Sequence, residues 1–211
     1  MELIGSLHCG SMIVEMALAL TGLPYSVTDV PYLREGPERQ RLLALNPLGQ
    51  VPTLVLDDGA VMTESAAIIL TLHDLKPEAE LLPPADALDR PQFLNRLIWL
   101  VAAIYPTFTY GDDPVKWTEQ GEAAHALRHR TNLHREALWR RWDAEFGPGP
   151  FARGAKMSAL DLYLVAMTHW RPRHTWFVEN APRLAAASDA TAAHAKLSPI
   201  VARHLPGRNT D

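Results

Sequence analysis

The chain predicts an α/β half followed by an all-helical half, and three observations carry that reading. Residues 1–76 alternate short β-type runs with helical runs and close on a strand–turn–strand–helix unit. The stretch Lys76 to Asp89 then holds Pro77, Pro83, Pro84 and several acids without periodicity, which is linker chemistry. Beyond it, apolar residues recur at steps of three and four, the spacing of helices. The boundaries read 1–76 for the α/β part, 77–88 for the linker and 89–211 for the helical part.

Taken in order, Glu2 to Gly5 reads as a first strand. Ser6 to Ser11 is a loop of small and polar residues, and Met12 to Leu20 is a helix closed by Gly22 with Pro24 just beyond. Tyr25 to Val30 alternates as a second strand; Pro31 to Gly36 is a loop, and Pro37 to Leu45 a short helix. Asn46-Pro47-Leu48-Gly49 is turn chemistry: proline fixes φ and glycine permits positive φ. Pro52 enters a β-type run, Thr53 to Leu56, where its missing N–H costs least. Asp58-Gly59 marks a hairpin, Ala60 to Met62 the return strand, and Thr63-Glu64-Ser65 opens a helix ending near Leu75. The resulting order, β-α-β-α-β-β-α, implies a mixed sheet with helices on its faces, the thioredoxin-like arrangement.

In the second half, Phe93, Leu94, Leu97, Ile98, Val101, Ala102, Tyr105 and Phe108 form one apolar face. Pro106 kinks that helix or ends its regular part. Tyr110 to Pro114 is a break, and Glu119 to Phe146 a long helix with Leu127, Leu138, Trp142 and Phe146 on one side. Ser158 at an N-cap and Asp161 three residues on make an acidic capping box, opening a helix apolar on nearly all sides. Pro182 to His204 reads as a closing pair of short helices, and Arg203 to Asp211 as a frayed tail.

The composition limits the function. With 47% hydrophobic and 21% charged residues and a net charge of −4, the 211-residue chain is globular and gives no sign of a nucleic-acid partner. No apolar run reaches the roughly 20 residues a membrane helix needs, and the start of the chain lacks the order of a signal peptide. One cysteine, Cys9, excludes an internal disulfide and fits a reducing cytoplasm. His125 and His129 have i, i+4 spacing, but the arginine-dense helix around them reads as a solvated face, so no metal site is expected. Arg128, Arg130, Arg135, Arg140 and Arg141 belong to that face.

Three features suggest a ligand. Val51, beside Pro52, could present its backbone N–H and C=O to an extended peptide. Glu64 and Ser65 stand at a helix start, where free N–H groups and the helix dipole attract a carboxylate. Cys9 and Ser11 stand where the first loop meets the first helix, a place that can lower a thiol's pKa.

Residues 46–65 closely resemble the glutathione-binding half of glutathione transferases, with Gln50, Val51, Pro52, Glu64 and Ser65 at the family's spacing. Ser158 and Asp161 match the family's Ser/Thr-x-x-Asp box, so the resemblance spans both halves; features of the beta-like and zeta-like classes are mixed. It implies that the residue before a cis-proline pairs with the cysteinyl part of glutathione and that Glu64-Ser65 holds the γ-glutamyl end. It further implies a homodimer and attack of the glutathione thiolate on a small hydrophobic electrophile. Glutathione would be a co-substrate, with no metal. Cys9 falls where the zeta-like class has serine. Gly10 and Gly5 stand where the beta-like class has cysteine and tyrosine, so Cys9 and then Ser11 are the candidate catalytic residues. Tyr105, Phe108 and Trp170 are candidates for the second-substrate wall. Two alternatives stay open: thiol transfer or peroxidase chemistry through Cys9, and a non-catalytic binding protein.

Overall fold

The computed structural model describes residues 1–31 and 34–207. Four strands form one sheet: β1 (Glu2–Gly5), β2 (Ser26–Asp29), β3 (Thr53–Val55) and β4 (Val61–Met62), in the order β2-β1-β3-β4. β1 runs parallel to β2 and antiparallel to β3; β3 and β4 form the hairpin. Leu3 pairs with Leu54 at the sheet's centre, and both are fully buried. α1 (Ser11–Thr21) and α3 (Ser65–Leu75) pack on one face, and Leu42 of α2 (Pro37–Leu45) covers the other with Ile4 and Val30. The Val51–Pro52 and Arg171–Pro172 peptide bonds are cis. Tyr32 and Leu33, in the loop expected over Pro31 to Gly36, lie outside the described residues, as do residues 208–211 of the expected tail.

Past a single 3-10 turn at Pro77–Ala79, the chain is helical: α4 (Arg90–Trp99), α5 (Tyr105–Asp112), α6 (Glu122–Glu145), α7 (Ala159–Met167), α8 (His174–Asn180), α9 (Pro182–Ala192) and α10 (Ser198–His204). α7 is buried along its whole length. It packs on α1, α4 and α9, so it lies between the two halves. One continuous buried cluster runs from Leu3 of the sheet to Val201 of α10.

Four sequence expectations are corrected here. α4 passes into α5 through a π-helical turn, Leu100–Ile104. Pro106 has no N–H, and its ring collides with the carbonyl four residues back in a regular α-helix; a widened turn relieves both. The buried stripe therefore runs Phe93, Leu97, Leu100, Ile104, Phe108, while Ile98 is 49% exposed and Ala102 faces solvent. On α6, Ala124, Arg135, Trp139 and Trp142 are the buried residues rather than Leu127 and Leu138. Arg135 leaves the expected solvated face: it is 1% exposed, with its guanidinium 4.1 Å from the Phe108 ring centre and a donor to Thr107 Oγ1. Its burial pulls its pKa down to about 10.

α8 was not anticipated, and the end of the chain is not a frayed tail from Arg203 onward. His204 is buried against Glu15 of α1 at 2.9 Å. Arg203 reaches Glu15 as well and binds Asp29 at 2.7 Å. A buried carboxylate needs partners, and α10 supplies them across 189 positions of sequence.

Candidate active site

The first loop sets the floor of the site. Ser11 is 1% exposed, and its hydroxyl accepts from the Ser6 N–H and donates to the Ser6 carbonyl, each at 3.0 Å. It ties the loop shut and packs against β1; a Cβ on Gly5 would meet it at 2.9 Å. The Ser11 hydroxyl is thus engaged inside the fold and away from the cleft. His8 takes a left-handed φ of 64°, which turns the chain so that Cys9 and Gly10 reach the cleft. Cys9 is half-buried.

The second wall comes from the turn before β3. Asn46 is buried and donates to the Gln50 carbonyl at 3.0 Å, and Thr53 donates to the same oxygen at 3.0 Å. These two bonds hold the approach to Val51 and Pro52. Glu64 caps α3 with extended backbone (φ −94°, ψ 120°) and is exposed. Ser65 begins the helix and lies beneath the surface; its Oγ is 2.8 Å from the hydroxyl of Tyr163, on α7. Burial pushes the Tyr163 phenol up from its ordinary pKa, so it stays protonated and can donate.

The third wall belongs to the helical half. Trp170 meets Tyr105 edge-on at 5.6 Å between ring centres and Phe108 edge-on at 5.1 Å. Together these walls enclose one cavity of about 840 Å3. Cys9, Gln50, Val51, Pro52, Glu64, Ser65, Tyr105, Phe108 and Trp170 all line it; Ser11 does not. Ser158 and Asp161 lie elsewhere, under α7: the Asp161 carboxylate accepts from the N–H groups of Ser158 and Ala152 at 2.8 and 2.7 Å. Among the described residues, no group of three or more His, Cys, Asp and Glu side chains could hold a metal ion.

Sequence reasoning passed over two residues of this cavity. Arg39, on α2, lines it and donates to the Gly49 carbonyl at 3.0 Å. Nothing local marks it out from its neighbours Arg34 and Arg41. Gly10 also lines the cavity, where a Cβ would lie 1.9 Å from the Tyr105 hydroxyl. A glycine at a loop–helix junction was a usable signal of close approach.

A cleft with an exposed strand entry, a helix start and a thiol at its edge can hold an extended peptide by backbone and carboxylate, with a sulfur near α1. Comparison with known proteins agrees with this geometry. Residues 10–75 match the family model for the N-terminal domain of glutathione S-transferases. The chain is 38% identical to the uncharacterized GST-like protein YncG of Escherichia coli K12, over 92% of this chain and 94% of that one. It is 31% identical to the glutathione S-transferase GstA of Escherichia coli O157:H7, over 76% and 77% of the two chains. A sphingomonad glutathione S-transferase complexed with glutathione superposes with a TM-score of 0.78 at 26% identity, covering 95% of this chain and 97% of that one. The chain belongs to the glutathione S-transferase family.

Proposed function

We propose that this protein binds glutathione and directs its thiolate at an electrophilic carbon of a small hydrophobic compound. The observation that carries the reading is the meeting, in one cavity, of Val51, Glu64 and Ser65 with Cys9 and the aromatic group of Tyr105, Phe108 and Trp170. In this reading Val51 pairs with the cysteinyl backbone, assisted by the Gln50 turn and Pro52. The start of α3, with Glu64 and Ser65, takes the γ-glutamyl end. Arg39 supplies a cation for a further carboxylate of the peptide. Tyr105, Phe108 and Trp170 offer the electrophile an apolar wall. A reducing cytoplasm keeps the co-substrate as a thiol, and the assembly is a homodimer.

Calorimetric titration with glutathione tests this. Wild type is expected to bind, and Glu64→Ala with Ser65→Ala to lose at least about tenfold in affinity, since each lost charge-assisted contact costs about 1.5–3 kcal/mol. A wild type that ignores millimolar glutathione would end the proposal.

The half-exposed thiol of Cys9 supports a second reading. Its thiolate attacks a glutathionyl mixed disulfide, takes the glutathionyl sulfur and releases the partner thiol. A second glutathione then resolves the new disulfide as glutathione disulfide and restores Cys9. Cys9→Ser separates the two: disulfide reduction stops, whereas conjugation persists.

A further inference from the structure

We propose that Tyr105, carried by the helical half, is the catalytic residue whose hydroxyl holds the glutathione sulfur as a thiolate. This rests on the glutathione reading above and gives that reaction a named hydrogen-bond donor. Two independent observations lead to it.

The first is the absence of a side chain at residue 10. Gly10 is the N-cap of α1, a helix of 11 residues, and it is buried in the cavity wall. A Cβ there would lie 1.9 Å from the Tyr105 hydroxyl oxygen and 3.2 Å from the ring carbon that bears it. The hydroxyl therefore occupies the volume a side chain of residue 10 would fill, at the positive end of the α1 dipole. Neighbouring Cys9 lines the same wall, and the Ser11 hydroxyl is committed to Ser6.

The second is the helix that delivers the tyrosine. The π-helical turn Leu100–Ile104 ends immediately before Tyr105. An extra residue in a helical turn rotates everything after it by about 100° relative to a regular helix. In this register Val101, Tyr105 and Phe108 share the cavity-facing side, while Leu100 and Ile104 are wholly buried behind. Trp170 braces the Tyr105 ring edge-on at 70° between planes, so the hydroxyl is held in place.

The chemistry follows from ordinary acidities. A phenol titrating near 10 keeps its proton at neutral pH and donates it in a hydrogen bond, while a thiol titrating near 8.5 is the weaker holder of its own. When glutathione binds, its thiol proton passes to solvent water. The sulfur lone pair then accepts from Tyr105 Oη–H, and the phenol proton never leaves. Attack forms the carbon–sulfur bond, and the displaced electron pair departs with the leaving group or moves onto the electrophile's acceptor atom. A donor aimed at the thiolate lowers the thiol pKa by favouring the charged form.

The test is a pH titration of glutathione bound to the intact protein, read by thiolate ultraviolet absorbance, for wild type, Tyr105→Phe and Gly10→Ala. Tyr105→Phe keeps the ring and its contact with Trp170. The expected result is a bound-thiol pKa about one unit higher and kcat/KM for conjugation about tenfold lower at neutral pH, recovered as pH rises. Gly10→Ala is expected to do the same with Tyr105 in place, because the new methyl displaces the hydroxyl. A thiol titration unchanged in Tyr105→Phe would overturn the proposal while leaving glutathione binding intact. Failure of wild type to bind glutathione at all would remove the parent reading, and this one with it.

Discussion

Asp161 is wholly buried, and its carboxylate accepts from two backbone N–H groups and the Ser158 hydroxyl. Those bonds pull its pKa down, yet burial outweighs them and raises it to about 6 from 3.8. The folded state therefore holds this proton more tightly than the unfolded chain. The stability Asp161 contributes is full below pH 4 and is lost as pH rises through about 6, a swing of order 3 kcal/mol. Asp161→Asn, neutral throughout, is expected to flatten the pH dependence of urea unfolding between about 4 and 6. The wild-type minus variant difference isolates this group from Glu2, whose pKa Arg41 holds down to about 2 and whose contribution fades only in stronger acid. Asp161→Ala strands two buried donors and is expected to cost about 3 kcal/mol in the same assay. The box itself was readable from Ser158 and Asp161, because a cap is a local device. The burial of Arg135 was not: five arginines on one helix look alike until Phe108 and Thr107 arrive from α5.

Between elements, the contact with most bearing on the site joins Ser65 of α3 to Tyr163 of α7, 98 positions apart. If Ser65 gives its proton to a ligand carboxylate, Tyr163 must give its own to Ser65, and the two bonds strengthen each other. Tyr163→Phe is expected to weaken glutathione binding about fivefold, the scale of one neutral hydrogen bond. Thermodynamic coupling is the check: in a Ser65→Ala background, the second change should add nothing. An effect of equal size in both backgrounds would mean that Tyr163 acts through packing alone. The hairpin and the start of α3 were legible because Pro52, Asp58-Gly59 and Glu64-Ser65 are local punctuation. No periodicity reports which residue of a core helix lies beneath them. α8 escaped notice for a different reason: seven residues between the cis Arg171–Pro172 bond and Pro182 are too few to set a pattern.

Over the whole molecule, the two halves share one core and one cleft, so the order of elements was readable while the geometry between them was not. The single chain leaves Leu75 at the end of α3 and Ile98 on α4 about half exposed, at 52% and 49%. A homodimer that covers these helices would bury them. Sedimentation at micromolar concentration is expected to give twice the chain mass, and Ile98→Glu to shift it toward one chain by placing a charge in an apolar contact. A wild type that sediments as one chain would refute the assembly.

The π-helical turn before Tyr105 also has a meaning in evolutionary time. A five-residue turn is the mark of a single-residue insertion absorbed by a helix without loss of its neighbours. One such event swings Tyr105 and Phe108 onto the cleft while α4 and α7 keep their packing. A lineage can thereby exchange the group that faces a bound sulfur by a codon gained in the second half of the gene. The first half, which grips the peptide, need not change at all.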